Sequence, residues 1–355
     1  MSATHTYQRM ADGKAPPDVV VLRRAKLTAG LLILAAVVVV LALASLAVGS
    51  HTTSISAVWT ALTNYPADPS IDEITVRSLR LPRTALAICV GMALGMAGSL
   101  MQALTRNPLA DPGILGVNSG AALAVVIGIS VYGLHTLQGY LWLALLGAFV
   151  TSVGVYALGA VGRSGASPVR LALAGTAVGA VLNGFISAIV LLDRKAFDGF
   201  REWVVGSLAG KSMDTLLVVV PLVAVGIVLS LSMGGALNAL AMGDDTARAL
   251  GAKIARTRAV GVVAVTLLCG VATAAVGPIG FIGLVVPHIA RAITGPDHKW
   301  LLPYAVLLGA ILVLASDVAG RLIVRPSELE VGVVTALIGA PVFIYLVRRR
   351  RLAQL

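Results

Sequence analysis

Charge is scarce in this sequence: Asp, Glu, Lys and Arg together make up 12% of its 355 residues, while 58% are hydrophobic. Soluble domains carry about 25% charged residues, so a water-exposed globular fold of this length is excluded. Acidic residues are the scarcer sign, 16 against 27 Lys and Arg. The formal charge of +11 could suggest nucleic acid, but the basic residues fall between apolar runs and form no contiguous basic face. The only cysteines, Cys89 and Cys269, lie in separate apolar segments and read as small packed hydrophobes, so they define no redox compartment. No His, Cys and carboxylate residues cluster with metal-ligand spacing, which disfavours a naked transition metal as ligand. No polar stretch is long enough for a separate soluble domain.

What remains is a succession of apolar runs of spanning length. The expected fold is all-α and polytopic, with about ten transmembrane helices near 27–48, 84–104, 114–131, 140–161, 169–192, 215–233, 259–276, 279–293, 301–316 and 331–347. The eighth is short and carries Pro287, which predicts a kink or partial entry. About 25 mostly polar residues precede the first run and no small-residue cleavage site follows it, so that helix is expected to be retained. Residues 1–26 form an N-terminal tail, 27–347 the membrane domain and 348–355 a basic tail. Ten crossings put both termini on one side. The tails and the even-numbered connections hold 18 of the 27 Lys and Arg residues against nine on the other side, which predicts cytoplasmic termini.

The stretch VVGSLAGKS, 204–212, ends in the tripeptide that closes a phosphate-binding loop. That loop needs four residues between its glycines, whereas Gly206 and Gly210 enclose three. The stretch also falls on the predicted outer side, and no strand-rich segment precedes it. The chain is therefore not expected to hydrolyse nucleotide.

The connection after the sixth helix, LNALAMGDDTARALG at 237–251, is moderately polar and too short to span. Asp244 and Asp245 precede Arg248 at helical pairing distance, as in a solvated loop helix or a docking element for a cytoplasmic partner. With RLPRT at 80–84, MQALTRNPLADPGILGVNSGA at 101–121, RLALAG at 170–175, WVVGSL at 203–208, GPIGFIGLVVPHIAR at 277–291 and ELEVGVVTALIGAPVFIYL at 328–346, it makes an ordered set. Over about 27–347, the sequence resembles the permeases of ABC importers that take up ferric siderophores, haem and cobalamin, the FecCD family.

The resemblance implies a non-enzymatic transport subunit of the prokaryotic cytoplasmic (inner) membrane, working by alternating access. Its partners would be a second permease copy or close relative, two cytoplasmic ATPase subunits, an external substrate-binding protein and the lipid bilayer, with no nucleic acid. No cofactor would be bound by this chain, and ATP and magnesium would sit on the ATPase. Leu237, Asn238, Leu240, Gly243, Ala247, Leu250 and Gly251 would couple to the ATPase. Arg80, Arg83 and Arg321, on the side where positive charge is disfavoured, match positions that receive acidic side chains of the binding protein. The competing reading is snorkelling or local pairing with Asp72, Glu73, Asp317 or Glu328. In RNPLADPG, 106–113, proline and glycine break the helix. A plain turn suffices there, while the resemblance makes Asn107 and Leu109 an inner gate opposite Ser167 and Pro168.

Gly91 with Gly95, and Gly175 with Gly179, repeat at four-residue spacing and predict close helix approach. An ion-coupled secondary transporter is the main rival, and it would need a carboxylate or His relay near the midplane. Asp317 and His288 stand singly near helix ends and supply none. Among cargoes a ferric siderophore is favoured, with haem or cobalamin as alternatives.

Overall fold

The computed structural model describes residues 17–348 apart from 50–52, 65, 135 and 161–167; among these every regular element is helical. In chain order they are α1 (Pro17–Ala47), α2 (Ile55–Thr63), α3 (Ile71–Thr75), a π-helical turn (Val76–Arg80) and α4 (Leu81–Thr105). A 3₁₀ turn (Pro112–Leu115), α5 (Val117–Tyr132), α6 (Leu137–Ala160), α7 (Pro168–Leu192), α8 (Arg194–Val204) and α9 (Met213–Ser232) follow. Then come α10 (Gly234–Ala241), α11 (Asp244–Ala249), α12 (Ile254–Val276), α13 (Ile282–Thr294), α14 (His298–Ile323) and α15 (Val331–Arg348).

Seven helices are long and apolar enough to cross a membrane, and three shorter apolar helices lie at Val117–Tyr132, Ile282–Thr294 and Val331–Tyr345. These cover all ten expected positions, but α13, with 13 residues, falls short of the roughly 20 that hydrocarbon thickness asks for. Its truncation follows from Phe281, a non-glycine residue at φ 67°, which starts the helix, and from Gly295, which ends it. α5 starts at Val117 and not Ile114, because Asp111 accepts a hydrogen bond from the Gly113 N–H (2.8 Å) and Gly116, at φ 72°, turns the chain first.

α4, α12 and α14 form the centre, while α1 and α7 show most of their apolar surface outward, as lipid-facing helices do. The centre is closed by glycine seams. A side chain on Gly91 would strike the Gly309 carbonyl, one on Gly95 would come 2.5 Å from the Ala305 oxygen, and one on Gly98 would strike Gly283. α4 is thereby pressed backbone to backbone against α14 and α13, where dispersion and not hydrophobic expulsion holds helices together. Of the second predicted pair, Gly175 lies against the Ile114 carbonyl while Gly179 makes only an ordinary contact with Ser119.

Long-range contacts define two ends. At the clamp end, the α1 C-terminus meets Arg80 and Arg321, and Gly332 meets Gly206. At the basic end, Arg23 reaches Thr294, Arg106 reaches Asp244 and Asn238 reaches Asp297. Gly98→Val should lower the thermal midpoint of the detergent-purified protein, by a destabilisation of about 1–3 kcal/mol. Gly154→Ala, with open space at its Cβ position, should leave the midpoint unchanged.

Candidate functional site

Helix α1 ends at the clamp end with carbonyls that no further turn can satisfy. Two arginines from distant elements supply the donors. Arg80 Nη1 donates to the Leu46 and Ala47 carbonyls at 2.8 and 2.9 Å. Arg321 Nη1 donates to the Ser45 and Val48 carbonyls, both at 2.9 Å, and its Nη2 donates to Ser45 Oγ (2.6 Å) and Asp317 Oδ2 (2.7 Å). A positive group at a helix C-terminus also complements the helix dipole. Arg83 completes the assembly with Asp317 Oδ1 at 2.8 Å and Glu328 Oε2 at 2.6 Å.

Arg80, Arg83 and Arg321, the expected docking residues, thus have partners inside the chain. Arg80 is 6% and Arg321 2% exposed, and their forks are spent on carbonyls and Asp317 inside the chain. The local-pairing alternative describes Arg83, with Asp317 and Glu328 as partners, and Arg321, with Asp317. Glu73 instead closes a capping box with Ser70.

At the basic end, Gly243 at φ 99° divides the coupling segment into α10 and α11. Leu237, Leu240 and Ala247 are fully buried against the bundle, so three of the seven predicted coupling residues hold the segment in place and offer nothing to a partner. Asn238 is half-buried and turned toward α14, with Nδ2 2.6 Å from Asp297 Oδ1. The face left open carries Met242 at 56% and Leu250 at 63% exposure, together with Asp245 and Gly251. Met242, exposed between the two short helices, escaped the sequence reading.

Asp244 joins this segment to two other elements, accepting from Arg258 of α12 at 3.1 Å and lying 3.6 Å from Arg106 at the end of α4. Arg106, at φ 49°, opens the predicted inner-gate turn. Asn107 accepts the Leu109 N–H on its side-chain oxygen (3.0 Å) and the Ala110 N–H on its carbonyl (3.1 Å). Its amide thus shapes the turn, which the plain-turn reading anticipates, while Leu109 is half-buried. Ser167 lies outside the described residues, and Pro168 is the first residue of α7.

A half-open hollow of about 1020 Å³ lies at the clamp end between α5, α6, α8 and the turn before α9. Tyr140, Trp203, Lys195, Arg201, Lys211 and Glu330 are among its lining residues. Burial pulls the Lys211 ammonium below its ordinary range, against the opposing pull of Glu330 and Glu202. The Lys of the phosphate-loop look-alike therefore lines this hollow. α8 starts on Asp193, which accepts the Ser130 hydroxyl at 2.6 Å and the Lys195 N–H at 2.9 Å. The Ser130 bond, above all, holds the Asp193 carboxyl below the usual range. α8 was not anticipated as a separate helix, though its run of charged and aromatic residues is legible in the sequence.

Among the described residues no group of three or more His, Cys, Asp or Glu could hold a metal ion. The FecCD transport family model matches residues 37–349, and the chain belongs to that family. The ferric enterobactin transport system permease protein FepD of Escherichia coli (strain K12) is 47% identical over 93% of this chain and 97% of its own length. The probable siderophore transport system permease protein YfiZ of Bacillus subtilis (strain 168) is 40% identical, covering 86% of this chain and 91% of that one. The hemin transport system permease protein HmuU of Yersinia pestis is 38% identical, covering 88% and 93%. A solved structure described as a metal-chelate type ABC transporter in an inward-facing conformation superposes with a TM-score of 0.79 at 29% identity, over 90% of this chain and 98% of that one.

Arg321→Ala would leave Asp317 buried with a single partner and uncover the Ser45 and Val48 carbonyls, a loss of about 3–5 kcal/mol. The expected result is a sharp fall in membrane accumulation and thermal midpoint, with Arg321→Lys restoring little because it lacks the fork. A role confined to partner docking would leave both readouts at the wild-type level.

Proposed function

We propose that this chain is the permease subunit of an ATP-driven importer of ferric siderophores in a prokaryotic cytoplasmic membrane. The observation that carries the reading is the 47% identity to the ferric enterobactin permease over nearly the full length of both chains. The haem permease at 38% keeps haem as the second cargo. In this reading the chain crosses the membrane ten times, the three shorter apolar helices completing the seven long ones, with both termini and the basic end in the cytoplasm. It pairs with a second copy or a close relative. A binding protein delivers the chelate at the clamp end, and two ATPase subunits carrying ATP and magnesium dock on the open face of α10 and α11.

The energy source and cargo are separated by one experiment. Labelled ferric siderophores, haem and cobalamin are offered to iron-limited cells with and without the gene, while ATP and the proton gradient are depleted separately. Loss of uptake of a ferric siderophore, dependent on ATP and indifferent to the gradient, is expected; gradient-dependent uptake overturns the importer reading, and loss of haem or cobalamin uptake alone overturns the cargo.

The docking face has its own test. Met242→Asp with Leu250→Asp should prevent co-purification of the ATPase while the permease keeps its thermal midpoint. Leu237→Asp should instead lower the midpoint itself, since a buried carboxylate there has no partner.

A further inference from the structure

We propose that Asn238 is a positioning residue that latches the coupling segment to α14 and so gears ATPase motion to the far end of the bundle; this rests on the importer reading above. The side chain of Asn238 makes three bonds, all to the first turn of α14. Its Nδ2 donates to Asp297 Oδ1 at 2.6 Å. Its Oδ1 accepts the His298 backbone N–H at 2.8 Å and lies 2.9 Å from His298 Nδ1, which donates in the tautomer this contact requires. Asp297 Oδ1 also accepts the Lys299 N–H at 3.0 Å. Asp297 and Asn238 therefore share the capping of α14, and half of that cap belongs to α10. α10 is held besides by Leu237 and Leu240, buried apolar contacts that fix no direction, and by Gly234 packed against Lys299, while Asp244 ties the following α11 to Arg106 and Arg258; Asn238 makes the side-chain hydrogen bonds from α10 to α14.

What lies beyond the latch makes it more than a cap. α14 is one helix of 26 residues, about 39 Å long, and its other end carries Asp317 and Arg321. Along its length it is pressed against α4 through Gly91, Gly95 and Gly309, and the two are bonded again at the clamp end by Arg83 and Asp317. A displacement of α10 passed through Asn238 thus moves a two-helix body that ends at the clamp. Close packing leaves such a body little means of absorbing strain by deformation. Without the latch, the link from α10 to α14 is left to apolar packing and the link to α4 to the Asp244–Arg106 pair, so less of the displacement of α10 reaches α14.

The test uses the whole complex, permease with ATPase and binding protein, in lipid nanodiscs and proteoliposomes. Asn238→Ala and Asp297→Ala are each expected to keep the ATPase bound and basal hydrolysis within about twofold, while stimulation by cargo-loaded binding protein and uptake per ATP fall at least tenfold. The double variant should be no worse than either single one, since one linkage is lost in each. The exchanged pair Asn238→Asp with Asp297→Asn reverses donor and acceptor between the two side chains and keeps an acceptor for His298 at position 238, while the Lys299 N–H has to turn to the one remaining side-chain oxygen at position 297; it should recover at least half of the stimulation. Stimulation within twofold of wild type in either assembled single variant overturns the latch. So does loss of ATPase binding, which would make Asn238 a docking contact. If the alanine permeases themselves fail to accumulate folded, the exchanged pair decides alone: at least half of the wild-type stimulation supports the latch, and assembly without stimulation rejects it. Absence of stimulation in the wild-type complex would instead overturn the importer reading.

Discussion

Asp317 is 1% exposed and binds two guanidiniums, and the clamp end is organised around that single buried carboxylate. Removing a charge of that kind leaves its partners unpaired in a medium that cannot hydrate them. The pairing lets Arg321 sit deep enough to reach the end of α1, and it lets Arg83 tie α4 to α14 and to Glu328. Because α1 is otherwise mostly lipid-exposed, its place in the bundle depends on these donors at one end. At the other it depends on Arg23 reaching Thr294 and on Tyr304 donating to the Leu27 carbonyl at 2.8 Å.

The two ends of the bundle solve one problem with different chemistry. Each must terminate helices whose last backbone groups meet no water inside the membrane boundary. The clamp end uses arginine forks against carbonyls. The basic end uses short side chains against N–H groups: Asn238 and Asp297 on α14, and Asn107 and Asp111 in the turn after α4. The carboxylate of Asp297 is opposed by burial, yet the Asn238 amide, the Lys299 N–H and the nearby positive charge hold it below the usual carboxylate range. A strong acceptor at a helix N-terminus keeps its bonds in this way.

The membrane-spanning pattern was legible because hydrocarbon imposes a length and a polarity that few other constraints can mimic. Leu301 to Ser316 falls within a long observed helix and Leu27 to Val48 overruns one by a single residue, and family membership was readable from motifs at fixed order. The short helices α2, α3 and α8 were not anticipated, since each rests on a cap and not on a long apolar run. The carbonyl partners of Arg80 and Arg321 were hidden for a related reason. Sequence places these arginines on the outer side but carries no sign that the carbonyls of Ser45, Leu46, Ala47 and Val48 lie within reach. In the coupling segment the residue types were informative and the facing was not: Leu237 and Leu250 look alike in sequence, yet one is buried and the other open.

The arginine clamp also sets an order of events during synthesis. α1 leaves the ribosome first, but the donors for its last carbonyls arrive 34 residues later, with Arg80, and 276 residues later, with Arg321. Until then those carbonyls must be served by interfacial water or lipid headgroups, and the helix is free to drift from the nascent bundle. α1, made before α4 and α14, is thus fully secured only after both have been made.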